Sequence, residues 1–363
     1  MTSRSSSGSS SPTTTSEPSR RRSRCAAVLA CVVLSAAWGC TGSGDDPAAS
    51  TVVVYTALDQ VHSEPILREF ERRTGIKVLP VYDAEAAKTT GLVNRLIARR
   101  ERPDCDVFWN NEVVQTERLA TLGILEPYAS PSATRIPERF RDPGHRWTGF
   151  AARMRVLICN TDLIPAERTP RSLAAFTDPA WRGRAAVARP FYGTTLTHMA
   201  VLHEAWGPER LSVWLAGLRE NQVALCPGNG PVRDMVASGE RAFGLTDTDD
   251  AYAGLQAGKP VAIYIPDADQ GAVLIPNTVA LVAGAPHPGA ARRLIDYLLS
   301  ADVERRLAQG AGAQVPLGTD LADLPTPWHD LEGAKRPMEI DVSAAAGAID
   351  PVVALLREQK MDE

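Results

Sequence analysis

Thr246-Asp247-Thr248-Asp249-Asp250 packs three carboxylates and two hydroxyls into five consecutive residues. Oxygen-rich clusters of this kind suit hard cations such as Fe³⁺, Ca²⁺, Mg²⁺ or Mn²⁺. Asp59, Glu85 and Glu112 each follow a strand-like apolar run elsewhere in the chain, so they are placed to complete such a site from the opposite side. Asp247, Asp249 and Glu85 are therefore the expected metal ligands, with Asp59, Glu112 and Thr246 beside them. The simpler reading of Asp249 and Asp250 is that they cap a following helix, as Asp and Thr commonly do.

A second constellation favours anions. Tyr192-Gly193-Thr194-Thr195 is a Gly/Thr turn at a helix start, and Arg153, Arg155 and Arg189 are the arginines expected near it. Backbone N–H groups at a helix N-terminus, hydroxyls and guanidinium together make an anion site for phosphate, phosphonate or a carboxylated solute. Capping of the helix is again the plainer role for Thr194 and Thr195. Tyr55, Tyr82 and Tyr192 all end strands, and one of them is expected to line a cleft while the others pack. Tyr55 and Asn110 join the ligand-binding candidates as strand-end residues. His62 reads as a surface residue, and His198 and His203 lie five apart, which is not the i, i+4 spacing of a helical metal pair.

Catalytic signatures are missing: there is no G-x-S-x-G, no H-E-x-x-H and no GK[ST] phosphate loop. The chain reads as a binding protein without a catalytic cofactor. Carboxylate-dependent glycoside hydrolysis and sugar binding on Trp109, the one tryptophan at a strand end near the cleft, are weaker alternatives.

The elements that must carry these residues alternate. Strands at 51–59, 76–83 and 105–111 are separated by helical spacing at 63–75 and 88–101, a βαβ order that implies a parallel sheet flanked by helices. Ligands collect beyond the carboxyl ends of such strands, here 56–62, 82–85 and 109–112. Further strands are read at 182–195, 222–227 and 242–250, and helices at 196–207, 211–221, 232–240, 290–310 and 348–359. Long apolar runs at 146–161 and 272–284 read as two crossings between lobes. The resulting expectation is a two-lobed α/β protein with a ligand cleft between lobes: an outer lobe of 51–149 plus 276–318, an inner lobe of 150–275, and an extension, 319–363, on the outer lobe.

The first forty residues give an address. Arg20, Arg21, Arg22 and Arg24 precede the apolar run Cys25–Trp38, a charged segment and hydrophobic core of export-signal length. Gly39-Cys40 followed by a polar stretch resembles a bacterial lipobox, which implies acylation of Cys40 and a flexible tether over 41–50. Removing 1–40 takes away five arginines and one glutamate and moves the formal charge from -4 to -8, which excludes nucleic acid as a natural partner. Cys105, Cys159 and Cys226 remain, an odd set that allows at most one disulfide.

Several stretches together resemble the bacterial extracellular solute-binding proteins of ABC importers, in the ferric-iron-binding class of the type II periplasmic-binding-protein fold. They are VVVYTALD with REFERRTGIKV, CDVFWNNEVVQTERLATLGILEPY, RWTGFAARMRVLICNT, DPAWRGRAAVARP and IPNTVALVAGAPHPGAARRLIDYLLSADVERRLAQ. The resemblance implies a monomeric receptor, periplasmic or on the cell surface, that closes on a ligand and presents it to a membrane permease and its ATPase. It also implies Fe³⁺ with a synergistic anion as the bound ligand, with Glu85 at the position of the family's glutamate. The family's adjacent tyrosine pair is absent; Thr246–Asp250 stands in its place, with Tyr252 beyond. A phosphonate or other small organic anion is the alternative ligand.

Overall fold

The computed structural model describes residues 51–83 and 89–362. The β-branched run TVVVYT forms β1 (Thr51–Thr56), followed by α1 (Gln60–Thr74), β2 (Lys77–Tyr82), α2 (Thr90–Ala98), β3 (Val107–Asn110) and α3 (Val114–Thr121). Gly75 stops α1 in the left-handed region, φ 71°, where its N–H reaches the Glu71 carbonyl. Next come the short β4 (Leu125–Glu126), the 13-residue β5 (Thr148–Asn160) and β6 (Ala185–Ala188). Two helices follow, α4 (Gly193–Trp206) and α5 (Pro208–Glu220), and then β7 (Ala224–Cys226), α6 (Asn229–Ala237), β8 (Phe243–Asp247), α7 (Thr248–Gln256) and β9 (Val261–Tyr264). The chain ends with β10 (Leu274–Val282), α8 (Pro288–Leu298), α9 (Ala301–Gln309), α10 (Val342–Gly347) and α11 (Ile349–Glu358).

β1 pairs in parallel with β2 and β3, and β10 runs antiparallel between β3 and β5. β5 then changes partners along its length. Up to Met154 it pairs with β10; from Arg155 it pairs with β8, and from Leu157 also with β9. β6 lies parallel to β8 and to β7. Two lobes result, one on β2-β1-β3-β10 and one on β8-β6-β7, with β5 common to both. Every residue of β5 and β10 is buried, which explains their unbroken apolar runs.

Two expectations need correction. The strand read over 242–250 ends at Asp247, and α7 begins at Thr248, so the acidic run straddles a strand and a helix. Cys105, Cys159 and Cys226 are buried free thiols, within the limit of at most one bridge. The C-terminal extension is not confined to the first lobe: α10 packs on α3 and α4, and α11 on α4 and α5. Its apolar face, Ile349, Val352 and Leu356, is buried there, while Arg118 Nη2 meets Asp350 at 3.0 Å and Gln359 Nε2 donates to Ser212 at 3.2 Å. Among the described residues, no helix is long and apolar enough to cross a membrane.

Candidate ligand-binding site

A cavity of about 80 Å³ opens between the lobes, against roughly 300–1,000 Å³ for a drug-sized ligand, so its occupant is small. β1 delivers Asp59 beyond its end and β3 delivers Asn111; β5 supplies Arg153 at the point where it leaves β10. The second lobe contributes three helix beginnings: Tyr192–Thr195 at α4, Gly228–Gly230 at α6, and Asp247, Asp249 and Asp250 at α7. At all three the N-cap residue, Tyr192, Gly228 or Asp247, makes no side-chain cap hydrogen bond. First-turn N–H groups that lack a cap are natural anion donors.

A closed polar network holds these three helices in register. Arg155 Nη1, fully buried, donates to Asp247 Oδ1 at 2.6 Å, to Asn229 Oδ1 at 3.2 Å and to Thr194 Oγ1 at 3.3 Å. Thr194 Oγ1 donates to Asp247 Oδ2 at 2.5 Å, and Asn229 Nδ2 reaches the same oxygen at 2.9 Å. Burial alone would raise the Asp247 carboxyl, but Arg155, Arg153 and the Thr194 hydroxyl outweigh it and hold the group below the usual carboxylate range. Asp247 is therefore a charged group already in use.

Asp249 differs. Burial pushes its carboxyl up, and Asp247 and Asp59 add to the rise against the opposing Arg153, whose Nη1 stands 3.6 Å away. Arg153 donates through Nη2 to the Asn111 carbonyl, and burial, which would lower its pKa, is outweighed by Asp249, Asp247, Asp59 and Asp250. Carboxylate oxygens of Asp247, Asp249 and Asp250 lie within 4.8 Å of one another, as a metal triad requires. Each, however, faces an arginine: Arg155, Arg153 and, at 3.7 Å, Arg233. Meanwhile Arg153 Nε and Arg155 Nε and Nη2 are buried and bond to no described residue. Arg153 borders the cavity, so its Nε is a donor available there, whereas Arg155 lies behind the lining; the three aspartates each already face an arginine.

Of the candidates read from sequence, the structure brings together Asp59, Arg153, Tyr192, Gly193, Thr194, Thr195, Asp247 and Asp249. Four others point elsewhere. Tyr55 is buried, donates to Asp104 Oδ1 at 2.6 Å and lies under Arg95; burial and that acceptor raise its pKa. Asn110 spends its amide on Glu112 and Thr116. Glu112 receives the Val114 and Gln115 N–H groups and so caps α3, and burial raises its carboxyl. Thr246 turns its hydroxyl to the Asn229 carbonyl. Trp109 is fully buried against Phe150, ring centroids 5.7 Å apart, so it offers no platform for a sugar. Glu85 and Cys40 lie outside the described residues. Sequence reading missed Asn111 and the Pro227–Gly230 turn; the Gly-Asn-Gly between prolines at 227 and 231 was the available signal.

Residues 106–331 match the family model described as bacterial extracellular solute-binding protein. The chain belongs to that family. It is 26% identical over 307 residues to Iron uptake protein A1 of Synechocystis, which covers 78% of this chain and 83% of that protein. Likeness to the Fe(3+)-binding periplasmic protein of Serratia marcescens is 24% over 314 residues, 85% and 89% of the two chains. A putative 2-aminoethylphosphonate-binding periplasmic protein of Salmonella typhimurium is 24% identical over 272 residues, 72% and 77%. Among solved structures, apo ferric ion-binding protein A of Pasteurella haemolytica superposes with TM-score 0.76 at 21% identity, covering 87% of this chain and 99% of that one. AfuA of Actinobacillus pleuropneumoniae, bound to exogenous fructose-6-phosphate, gives 0.71 at 21%, covering 85% and 97%. The fold of this solute-binding protein is accordingly the two-lobed type II periplasmic-binding-protein fold. The family model and several of these relatives and neighbours are named as extracellular or periplasmic binding proteins.

Proposed function

We propose that this solute-binding protein is the monomeric receptor of an ABC importer and that its ligand is a small solute bearing an oxyanion, of the phosphonate, phosphate ester or carboxylate class. The observation that carries this reading is the convergence of three helix starts, those of α4 and α6 without a side-chain cap, beside Arg153, whose Nε lacks a described acceptor. Each helix terminus contributes about half a positive charge, and Tyr192 and Thr195 are among the residues that line the cavity. Relatives named for 2-aminoethylphosphonate and a neighbour holding a sugar phosphate are consistent with that chemistry.

A second reading has its own support. The aspartate triad and the relatives named for iron favour Fe³⁺ carried together with an oxyanion in the same cradle. In either case β5 and β10 are the hinge between an outer lobe, 51–149 plus 276–318, and an inner lobe, 150–275. Ligand contacts to both lobes exist only when they close, which shifts the population toward the form a permease recognises. Lipid on Cys40 would tether the receptor near that permease; Cys40→Ser should then release it from the membrane fraction.

The test is thermal stabilisation of the purified protein by 2-aminoethylphosphonate, inorganic phosphate, fructose-6-phosphate, Fe³⁺ alone and Fe³⁺ with citrate, assayed separately. A ligand at 100 times its Kd adds about 2.7 kcal/mol to stability. Stabilisation by a metal-free oxyanion, lost in Arg153→Ala, is expected. Stabilisation by Fe³⁺ with citrate and by none of the metal-free solutes would overturn the first reading in favour of the second.

A further inference from the structure

Glu112, expected at the ligand, instead connects the lobes. Its carboxylate stands at the start of α3 in the first lobe and is fully buried. One oxygen accepts from Asn110 Nδ2 at 2.7 Å, and the other from the Val114 N–H at 2.7 Å. That second oxygen also accepts from Thr197 Oγ1 at 2.6 Å. Thr197 belongs to α4 of the second lobe, two residues beyond the Gly193–Thr195 turn that lines the cavity. One helix therefore offers its first turn to the ligand and its next turn to the opposing lobe.

We infer that the Thr197–Glu112 hydrogen bond is an interlobe latch, and that both residues are positioning residues that set ligand retention without touching the ligand. The physical argument is that a contact available in one of two conformations shifts the equilibrium by its differential free energy. Hydrogen bonds to charged groups are worth about 1.5–3 kcal/mol, or roughly a 10- to 100-fold shift in the ratio of closed to open forms. Glu112 is an unusually good anchor because the α3 N–H groups fix it whether or not Thr197 is present, so separation of the lobes costs the first lobe nothing internal. Thr197 has an equally fixed position: it is buried in α4, whose first turn is tied down by the Arg155–Asp247 network. The bond acts beside the apolar packing of α10 on both α3 and α4, so it adds a directional, polar term to an interlobe contact that already exists.

Thr197→Val removes the donor while keeping the shape and leaving the α3 cap intact, and Thr197→Ser restores the hydroxyl. Two readouts decide the matter. Small-angle X-ray scattering of the ligand-free protein should show Thr197→Val more open than wild type, with Thr197→Ser returned to the wild-type profile. Stopped-flow dissociation of 2-aminoethylphosphonate, or of Fe³⁺ with citrate if that is the probe that binds, should be roughly 10- to 100-fold faster in Thr197→Val, with association changed little. The inference rests on the interlobe reading of the cleft but not on the ligand's class: failure of every probe to bind wild type would refute the ligand assignment, while the scattering comparison would still judge the latch. Identical scattering profiles for wild type and Thr197→Val would overturn the latch, as would equal dissociation rates.

Discussion

Asp247→Ala distinguishes a structural carboxylate from a ligand. Asp247 is 2% exposed and Arg155 0%, with Nη1 and Oδ1 2.6 Å apart. Removing one partner of such a pair strands the other charge away from water, a loss of about 3–5 kcal/mol, whereas an exposed pair would lose less than about 1. The variant also deprives Thr194 Oγ1 and Asn229 Nδ2 of their shared acceptor, so the upper half of that range is expected. At about 2.1 cal/mol/K per residue, roughly 310 folded residues unfold with an entropy near 0.65 kcal/mol/K, so the ligand-free Tm should fall by about 6–8 °C. Calorimetry of the ligand-free protein measures this directly. The double variant Arg155→Met/Asp247→Leu should recover most of the loss, because apolar side chains of similar volume can replace a buried pair. A drop below about 2 °C accompanied by abolished binding would refute the reasoning and return Asp247 to the ligand set.

The remaining predictions concern titration and the tail. Asp249, whose folded-state pKa is raised, becomes neutral first as pH falls, so oxyanion affinity should rise on acidification through that pKa and the rise should flatten in Asp249→Asn; a carboxylate needed by a metal would give the opposite slope in a pH series of titration calorimetry. His198 is buried, with its pKa lowered to about 3 chiefly by burial and then by Arg155. The unfolded chain therefore binds the proton first, and stability falls as pH drops from about 6.5 toward 3, by about 2 kcal/mol at pH 5; His198→Leu should remove that component of acid destabilisation in urea melts at pH 7 and pH 5. Gly271 adopts φ 95°, and an added Cβ would run into the Arg336 carbonyl, where the tail pairs with Ala272; Gly271→Ala should speed proteolysis of the tail severalfold under native conditions while the rest of the fold resists.

Much of the scaffold was legible because it follows from local pattern. The alternation of β-branched runs with helical spacing located β1, α1, β2, α2 and β3, and Gly75 marked the end of α1. Thirteen consecutive buried positions in β5 could be seen as one long crossing because a strand covered on both faces has no polar alternation to interrupt it. The strand read to Asp250 failed for the converse reason. β8 has five residues, too few for period-2 alternation to mark its end, and α7 starts within the polar run itself. In α3, Gln115, Thr116 and Glu117 are buried polar residues, so VQTERLAT lacks the apolar stripe that would have announced a helix and with it the capping role of Glu112.

Side-chain partners were the least legible part of the site. Asp247 and Arg155 are 92 residues apart and meet because β5 and β8 pair with those two residues in register. No local pattern carries that register, so three adjacent aspartates looked like available ligands. Once β8 sets Asp247 against Arg155, its charge is neutralised, and burial disfavours charge on Asp249. The donors at the cavity are less engaged: the N-cap residues of α4 and α6 make no side-chain cap hydrogen bond, although at α7 Asp249 accepts from the Asp250 N–H, and Arg153 Nε, which borders the cavity, lacks a described acceptor. A buried donor left unsatisfied costs about 1–3 kcal/mol, a cost that an oxyanion beside Arg153 would relieve and a bare cation would not. Thr246–Asp250, at the place where the resemblance implies a tyrosine pair, supplies in Asp247 the aspartate that ties α4 and α6 to β5 through Thr194, Asn229 and Arg155.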